Sequence, residues 1–144
     1  MVARRFAAAG NIMRVVSQST LERPVAISGV GLHSGAPCRV TLHPETAGAG
    51  IIFHVIGENG KRQGAPIAAD VAAVSETRLG TCLRGADGGA VRTVEHLLAA
   101  ISISSVDNIR VEIEGPEIPV MDGSAGPLLD AIDRAGKKTL SAAR

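Results

Sequence analysis

Residues Ile109 to Glu114 alternate without a break between apolar and charged side chains. Ile109, Val111 and Ile113 fall on one side, Arg110, Glu112 and Glu114 on the other. Successive side chains of an extended chain point to opposite faces, so this segment reads as a strand with one dry and one wet face. A sheet built on it needs a cover on one side only. Two segments offer that cover. Val94, Leu97, Leu98 and Ile101 fall at i, i+3, i+4 and i+7, the apolar face of a helix that starts near Arg92 or Thr93 with Thr93 as its N-cap. Leu128, Leu129, Ile132 and Ala135 line a second helix, with Ser124 as N-cap, Pro127 in the first turn and Gly136 as the stop.

More strands precede the helices. Val25, Ile27 and Val30 lead into a glycine-rich turn at Gly29–Gly35. Val40 and Leu42 alternate with Arg39, Thr41 and His43 until Pro44 ends the run, and Ile51–Ile56 forms another strand. Residues 57–66 are polar and glycine-rich, a loop or hairpin; Val71–Val74 and Thr81–Leu83 read as short strands, and Gly85–Gly89 as a turn. The expected fold is α+β: a two-layer sandwich of a mixed β-sheet with two helices, over residues 16–144.

Composition removes several functions. The chain has 144 residues, 45% of them apolar, enough for one domain with a core. Net charge is +1, with no Trp or Tyr and two Phe, which argues against nucleic-acid binding, where bases need aromatic platforms. No apolar run is long enough to be a transmembrane segment. Cys38 and Cys82 fit no metal spacing and read as buried thiols in a reducing, cytoplasmic compartment. Arg4, Arg5 and Arg14 are the only charges before Glu22. They flank a small-residue stretch that reads as a weak transit peptide or, better, as a disordered extension over residues 1–15.

Chemistry concentrates in three places. Glu95 and His96 are adjacent at the head of the first helix, where a carboxylate can act as a general base and an imidazole as a metal ligand. The plainer alternative is a surface glutamate beside a half-buried histidine. Neither H-E-x-x-H nor H-x-x-E-H fits, since Arg92 stands where the latter needs a histidine. His33 sits among three glycines in Gly29-Val-Gly-Leu-His-Ser-Gly35, a turn that either brings backbone close to a ligand or merely joins two strands. Asp122, in Met121-Asp-Gly-Ser124, is either a site residue or a cap for the second helix. His43 and His54 lie in strand-like segments and read as structural.

Together, Gly29–Gly35, Thr77-Arg-Leu-Gly-Thr-Cys82, Thr93-Val-Glu-His-Leu97, Asp107-Asn108 and Pro116-Glu-Ile-Pro-Val-Met-Asp-Gly-Ser-Ala125 resemble the zinc-dependent UDP-3-O-acyl-N-acetylglucosamine deacetylases of lipid A biosynthesis. The resemblance runs from about Val16 almost to the C-terminus. It implies two similar α+β domains per chain, their helix layers sandwiched between two sheets, with zinc and substrate at the junction. It implies that Glu95 is the base that activates water, that His96 is a Zn2+ ligand, and that His33, Thr77, Leu79, Thr81 and Asp122 lie on the substrate side. The substrate would be UDP-3-O-acyl-N-acetylglucosamine.

The family's H-K-x-x-D motif, which supplies two further zinc ligands, does not occur, nor does its second-domain histidine. The expectation is an N-terminal domain without its catalytic partner domain, inactive by itself. It would be completed by a separately encoded second half or would be a non-catalytic remnant. Ala99, Ala100, Ile103 and Ala131 widen the apolar helix faces, which implies a partner layer, from that second domain or from a homodimer.

Overall fold

The computed structural model describes residues 16–144; the extension expected for residues 1–15 lies outside the described residues. In chain order the strands are β1 (Ser17–Leu21), β2 (Val25–Val30), β3 (Pro37–Pro44), β4 (Ile51–Ile56) and β5 (Arg62–Ala68). Then come β6 (Val74–Glu76), β7 (Cys82–Arg84), β8 (Ala90–Arg92), β9 (Ile109–Glu114) and β10 (Lys137–Ala143). The helices are α1 (Glu95–Ile103), before β9, and α2 (Gly126–Ala135), after it.

The alternating segment, β9, lies at the middle of a five-stranded sheet ordered β2-β3-β9-β4-β5. It runs antiparallel to β3 and parallel to β4, so the sheet is mixed. A parallel pair needs a long crossover, and the chain between β4 and β9 supplies one that carries α1. Register keeps the dry faces together. Phe53 pairs with Val111 and Ile67, Val40 with Ile113 and Ile27, Leu42 with Val111. All of these are buried, and with Leu97, Ile101, Leu128 and Ile132 from the helices they form one core. On the wet face Glu112 gathers His43, 3.0 Å away, and Arg62, 3.0 Å away.

The helices also pack on each other. Ala100 and Ala131 are fully buried, so they do not widen a bare face as the sequence implied; Ala99 is exposed and Ile103 is 67% exposed. The helix starts differ from expectation. Thr93 does not cap α1: its φ is 58° and its hydroxyl turns away to Glu117. Val94 holds the cap position without a side-chain bond. Ala125, rather than Ser124, occupies the cap position of α2, although the Ser124 hydroxyl still accepts from the Gly126 N–H at 3.1 Å. Pro127 does fall in the first turn, and Gly136, with φ 75°, ends the helix.

Three strands, β1, β8 and β10, had no legible signal, while β5 completes with β4 the hairpin that residues 57–66 suggested. β1 and β10 pair only with each other, and β10 is mostly exposed. β5 holds Gly64 and Pro66, residues that a sheet tolerates at an edge, where β5 lies. β8 is three residues long and closes a small sheet ordered β6-β7-β8. Val71–Ala73 is a 3-10 turn rather than strand, because the Asp70 carboxylate accepts the Ala72 N–H.

Asp107 and Asn108 tie β1 to the main layer. Asp107 accepts the Ser19 N–H at 2.8 Å. Asn108, 1% exposed, donates to Gln18 Oε1 at 2.9 Å and accepts the Gly50 N–H at 3.0 Å. Asn108→Ala should therefore cost roughly 0.5–1.5 kcal/mol by removing its bonds to the half-buried Gln18 and Gly50. Urea unfolding measures it, and a midpoint equal to wild type would show that these bonds contribute nothing.

Candidate active site

The Gly29–Gly35 turn, the loop between β6 and β7 and the head of α1 meet at one end of the sheet. Gly80 marks the meeting point. A Cβ added there would lie 3.4 Å from Glu95 Oε1, 3.4 Å from His33 Nε2 and 3.7 Å from Thr93 Oγ1. The first two segments, with Arg92 and Thr93 just before α1, line a cleft of about 230 Å3, walled by His33, Arg78, Leu79, Gly80, Arg92 and Thr93, with Glu76 held to Arg92 at 3.5 Å; Glu95 and His96 are not among its lining residues.

Glu95 is the first residue of α1 and half-buried. Its two oxygens share the Thr81 N–H, at 3.3 and 3.1 Å. That backbone bond fixes the carboxylate, and among the described residues no cation pairs with it. His96 follows, half-buried, and among the described residues no side-chain hydrogen bond engages its ring. Among the same residues no three His, Cys, Asp or Glu side chains stand close enough to hold a metal ion. A catalytic zinc takes three protein ligands, so these residues do not make a zinc site by themselves.

The other sequence candidates divide. His33 is exposed and lines the cleft, and Thr81 touches Glu95 through its backbone. Leu79 lines the cleft, 79% exposed and with φ 62°. Thr77 is exposed on the same loop but does not line the cleft. Asp122 is exposed and accepts the Ser124 hydroxyl at 2.7 Å and the Ser124 N–H at 2.9 Å. Those bonds lower its pKa, the hydroxyl most. It builds the turn before α2 and makes no hydrogen bond to Glu95, His96 or His33. His43 and His54 lie on the wet face of the sheet, apart from the cleft. Cys38 and Cys82 are buried free thiols.

One residue that sequence reasoning left without a role stands out. Glu117, in the Pro116–Pro119 segment, is 1% exposed. It accepts the Ser34 hydroxyl and N–H, both at 2.7 Å, the His33 N–H at 3.0 Å and the Thr93 hydroxyl at 2.7 Å. The available signal was a lone charge inside an otherwise apolar, proline-flanked run. Burial alone would raise its pKa; the bonds from Ser34, Thr93 and His33 outweigh burial and hold it at about 2, against an ordinary 4.5.

The sign of the pH effect follows. A carboxylate with a depressed folded-state pKa contributes stability above its unfolded pKa and loses it as pH falls toward the folded value. The window is therefore from about 4.5 down to about 2. Roughly 2 kcal/mol should be gone by pH 3. Urea midpoints at pH 6 and pH 3 test this, with Glu117→Gln as control. An equally steep acid loss in the variant would assign the effect to other carboxylates.

The family model of UDP-3-O-acyl N-acetylglycosamine deacetylase matches residues 18–144. A relative from Geotalea uraniireducens (strain Rf4), named UDP-3-O-acyl-N-acetylglucosamine deacetylase, is 47% identical over 127 residues, covering 88% of this chain and 40% of that protein. Proteins of the same name from Syntrophotalea carbinolica and Nitratidesulfovibrio vulgaris are 44% and 46% identical, over 86% and 90% of this chain and 39% and 41% of theirs. The chain thus spans about 40% of the length of these curated relatives. Across that span, which holds the Gly29–Gly35 turn, the α1 head and the Glu117 segment, the chain belongs to the UDP-3-O-acyl N-acetylglycosamine deacetylase family.

Proposed function

We propose that this span is the first of two domains of a cytoplasmic UDP-3-O-acyl-N-acetylglucosamine deacetylase acting in lipid A biosynthesis. The observation that carries the reading is the Glu95 carboxylate, fixed by the Thr81 backbone N–H, preceding His96 in the chain and lying across Gly80 from the His33 imidazole. The reaction is hydrolysis of an acetamide. Glu95 takes a proton from water, the water oxygen bonds to the acetyl carbon, and the C–N bond then breaks as the amine nitrogen gains a proton. Acetate and a free amine leave. His33, Leu79 and Thr81 bind on the substrate side; Thr77 and Asp122 border that region. His96 would supply one ligand to a zinc ion, and the remaining ligands would have to come from outside residues 16–144. Zinc, when bound, polarises the carbonyl and acidifies water. The cytoplasmic placement rests on the two free thiols, and among the described residues no helix is long and apolar enough to cross a membrane.

Exposed Ile103 and Ala99 leave part of α1 for a covering layer, which we assign to a second domain, either in the same polypeptide or separately encoded. The test is to replace the matching span of a full-length relative with residues 18–144 and assay acetate release from the UDP-sugar. Activity above a Glu95→Gln control supports the reading. A folded, metal-loaded graft without activity points instead to a non-catalytic remnant. The chain alone should release no acetate.

A further inference from the structure

The two oxygens of Glu117 serve two different elements. Oε1 takes the backbone N–H groups of His33 and Ser34 and the Ser34 hydroxyl. Oε2 takes the hydroxyl of Thr93, two residues before Glu95. The backbone of Glu117 is docked too: it bridges in parallel to Arg92, and the Ile118 N–H donates to the Arg92 carbonyl at 3.1 Å. Gly31 makes room for the carboxylate. A Cβ at Gly31 would press into Glu117 Oε1 and the Ser34 hydroxyl and stand 2.6 Å from the carboxyl carbon. Thr93 is held at φ 58°, a conformation unfavourable for a β-branched residue, and its bond to Glu117 is what the structure offers against that cost.

We infer that Glu117 is a positioning residue: it clamps the His33 turn to the head of α1 and so sets the gap between the His33 imidazole and the Glu95 carboxylate. The inference rests on the deacetylase reading of Glu95 and His33. The gap is the one marked by Gly80, whose added Cβ would touch both side chains at 3.4 Å. The clamp has no slack, since Glu117 is buried and each oxygen is committed. Shortening the side chain by one methylene lets the carboxylate serve one element or the other, not both. A displacement of about an ångström within a catalytic constellation costs roughly 100-fold.

The contrast between Glu117→Gln and Glu117→Asp separates reach from charge. Glutamine keeps the reach. Its Oε1 can still accept from His33 and Ser34, and its amide N–H can donate to the Thr93 hydroxyl, which accepts as readily as it donates. Aspartate keeps the charge and loses the reach.

The experiment uses the full-length graft for kinetics and the 144-residue chain for NMR. Glu117→Asp should lower kcat roughly 10- to 100-fold, with KM and bound metal changed little. Glu117→Gln should stay within about threefold of wild type, since its geometry survives. His33→Ala should cost much less on the Glu117→Asp background than on wild type, because the imidazole is already misplaced. In the chain itself, Glu117→Asp should move the His33, Ser34 and Thr93 amide resonances while those of β3 and β9 stay in place. Additive losses, a Glu117→Gln variant slower than Glu117→Asp, or unmoved His33 and Ser34 resonances would overturn the inference. A graft whose Glu95→Gln variant runs at full rate removes the deacetylase reading instead, and the resonances then still decide whether Glu117 clamps the two elements.

Discussion

Glu95→Gln, made in the full-length graft, should lower acetate release on the order of 100- to 10,000-fold while leaving bound metal in place. That is the range for losing a positioned general base. The amide matches the carboxylate in shape and can still accept the Thr81 N–H through its oxygen, so the loop and the helix head should hold. What it cannot do is take a proton. His96 is the adjacent residue, and its ring does not depend on Glu95 for any hydrogen bond among the described residues, so one change need not disturb the other. His96→Ala should behave in the opposite way, losing metal together with rate. The two variants are separated by metal analysis of the purified graft beside steady-state kinetics. A Glu95→Gln protein that loses its metal would make Glu95 a ligand or a ligand support. A rate within about threefold of wild type would remove it from the chemistry.

The segments that carry this chemistry were readable because each is local in sequence. The alternation at Ile109–Glu114 sets a strand, the i, i+3, i+4, i+7 spacing from Val94 to Ile101 sets a helix, and Glu95 with His96 sits at its start. Glu117 could not be read in the same way. Its partners Ser34 and Thr93 are 83 and 24 residues away, and only the tertiary fold brings them together. Thr93 fails as a cap because it stands one residue before the cap position, at φ 58°, with its hydroxyl turned to donate to the distant Glu117. β1 and β10 escaped notice because they pair across more than 100 residues and carry little apolar pattern, being held partly by the Asp107–Asn108 bonds. Asp122 and Ser124 show the reverse case. Both were read as local capping groups or site residues, and the structure uses them in a turn that leads into α2.

Phe53→Ala should destabilise the described domain by about 3–5 kcal/mol, while His54→Ala, one residue along β4, should change stability by less than about 1 kcal/mol. Phe53 is fully buried. It pairs with Val111 on the central strand and with Ile67 on the edge strand, so truncation opens a cavity at the centre of the dry face. Neighbouring side chains recover little of that space, because β4 is hydrogen-bonded on both sides and cannot close inward. His54 points to the other face. Burial lowers its pKa, with Arg62 and Arg110 adding to the effect, so the ring removed is a neutral one near two arginines and Glu112. Thermal unfolding of the 144-residue chain separates the two. The Phe53→Ala midpoint should fall by about 10–20 °C and that of His54→Ala by no more than a few degrees. Equal losses would mean that the sheet is covered on both faces, and the exposed part of α1 would then no longer be the natural place for a partner layer. A small loss at Phe53 alone would mean that the core is held chiefly by the helix pair, with the sheet as its cover. Either result would change how the head of α1 is anchored, and with it the placement of Glu95.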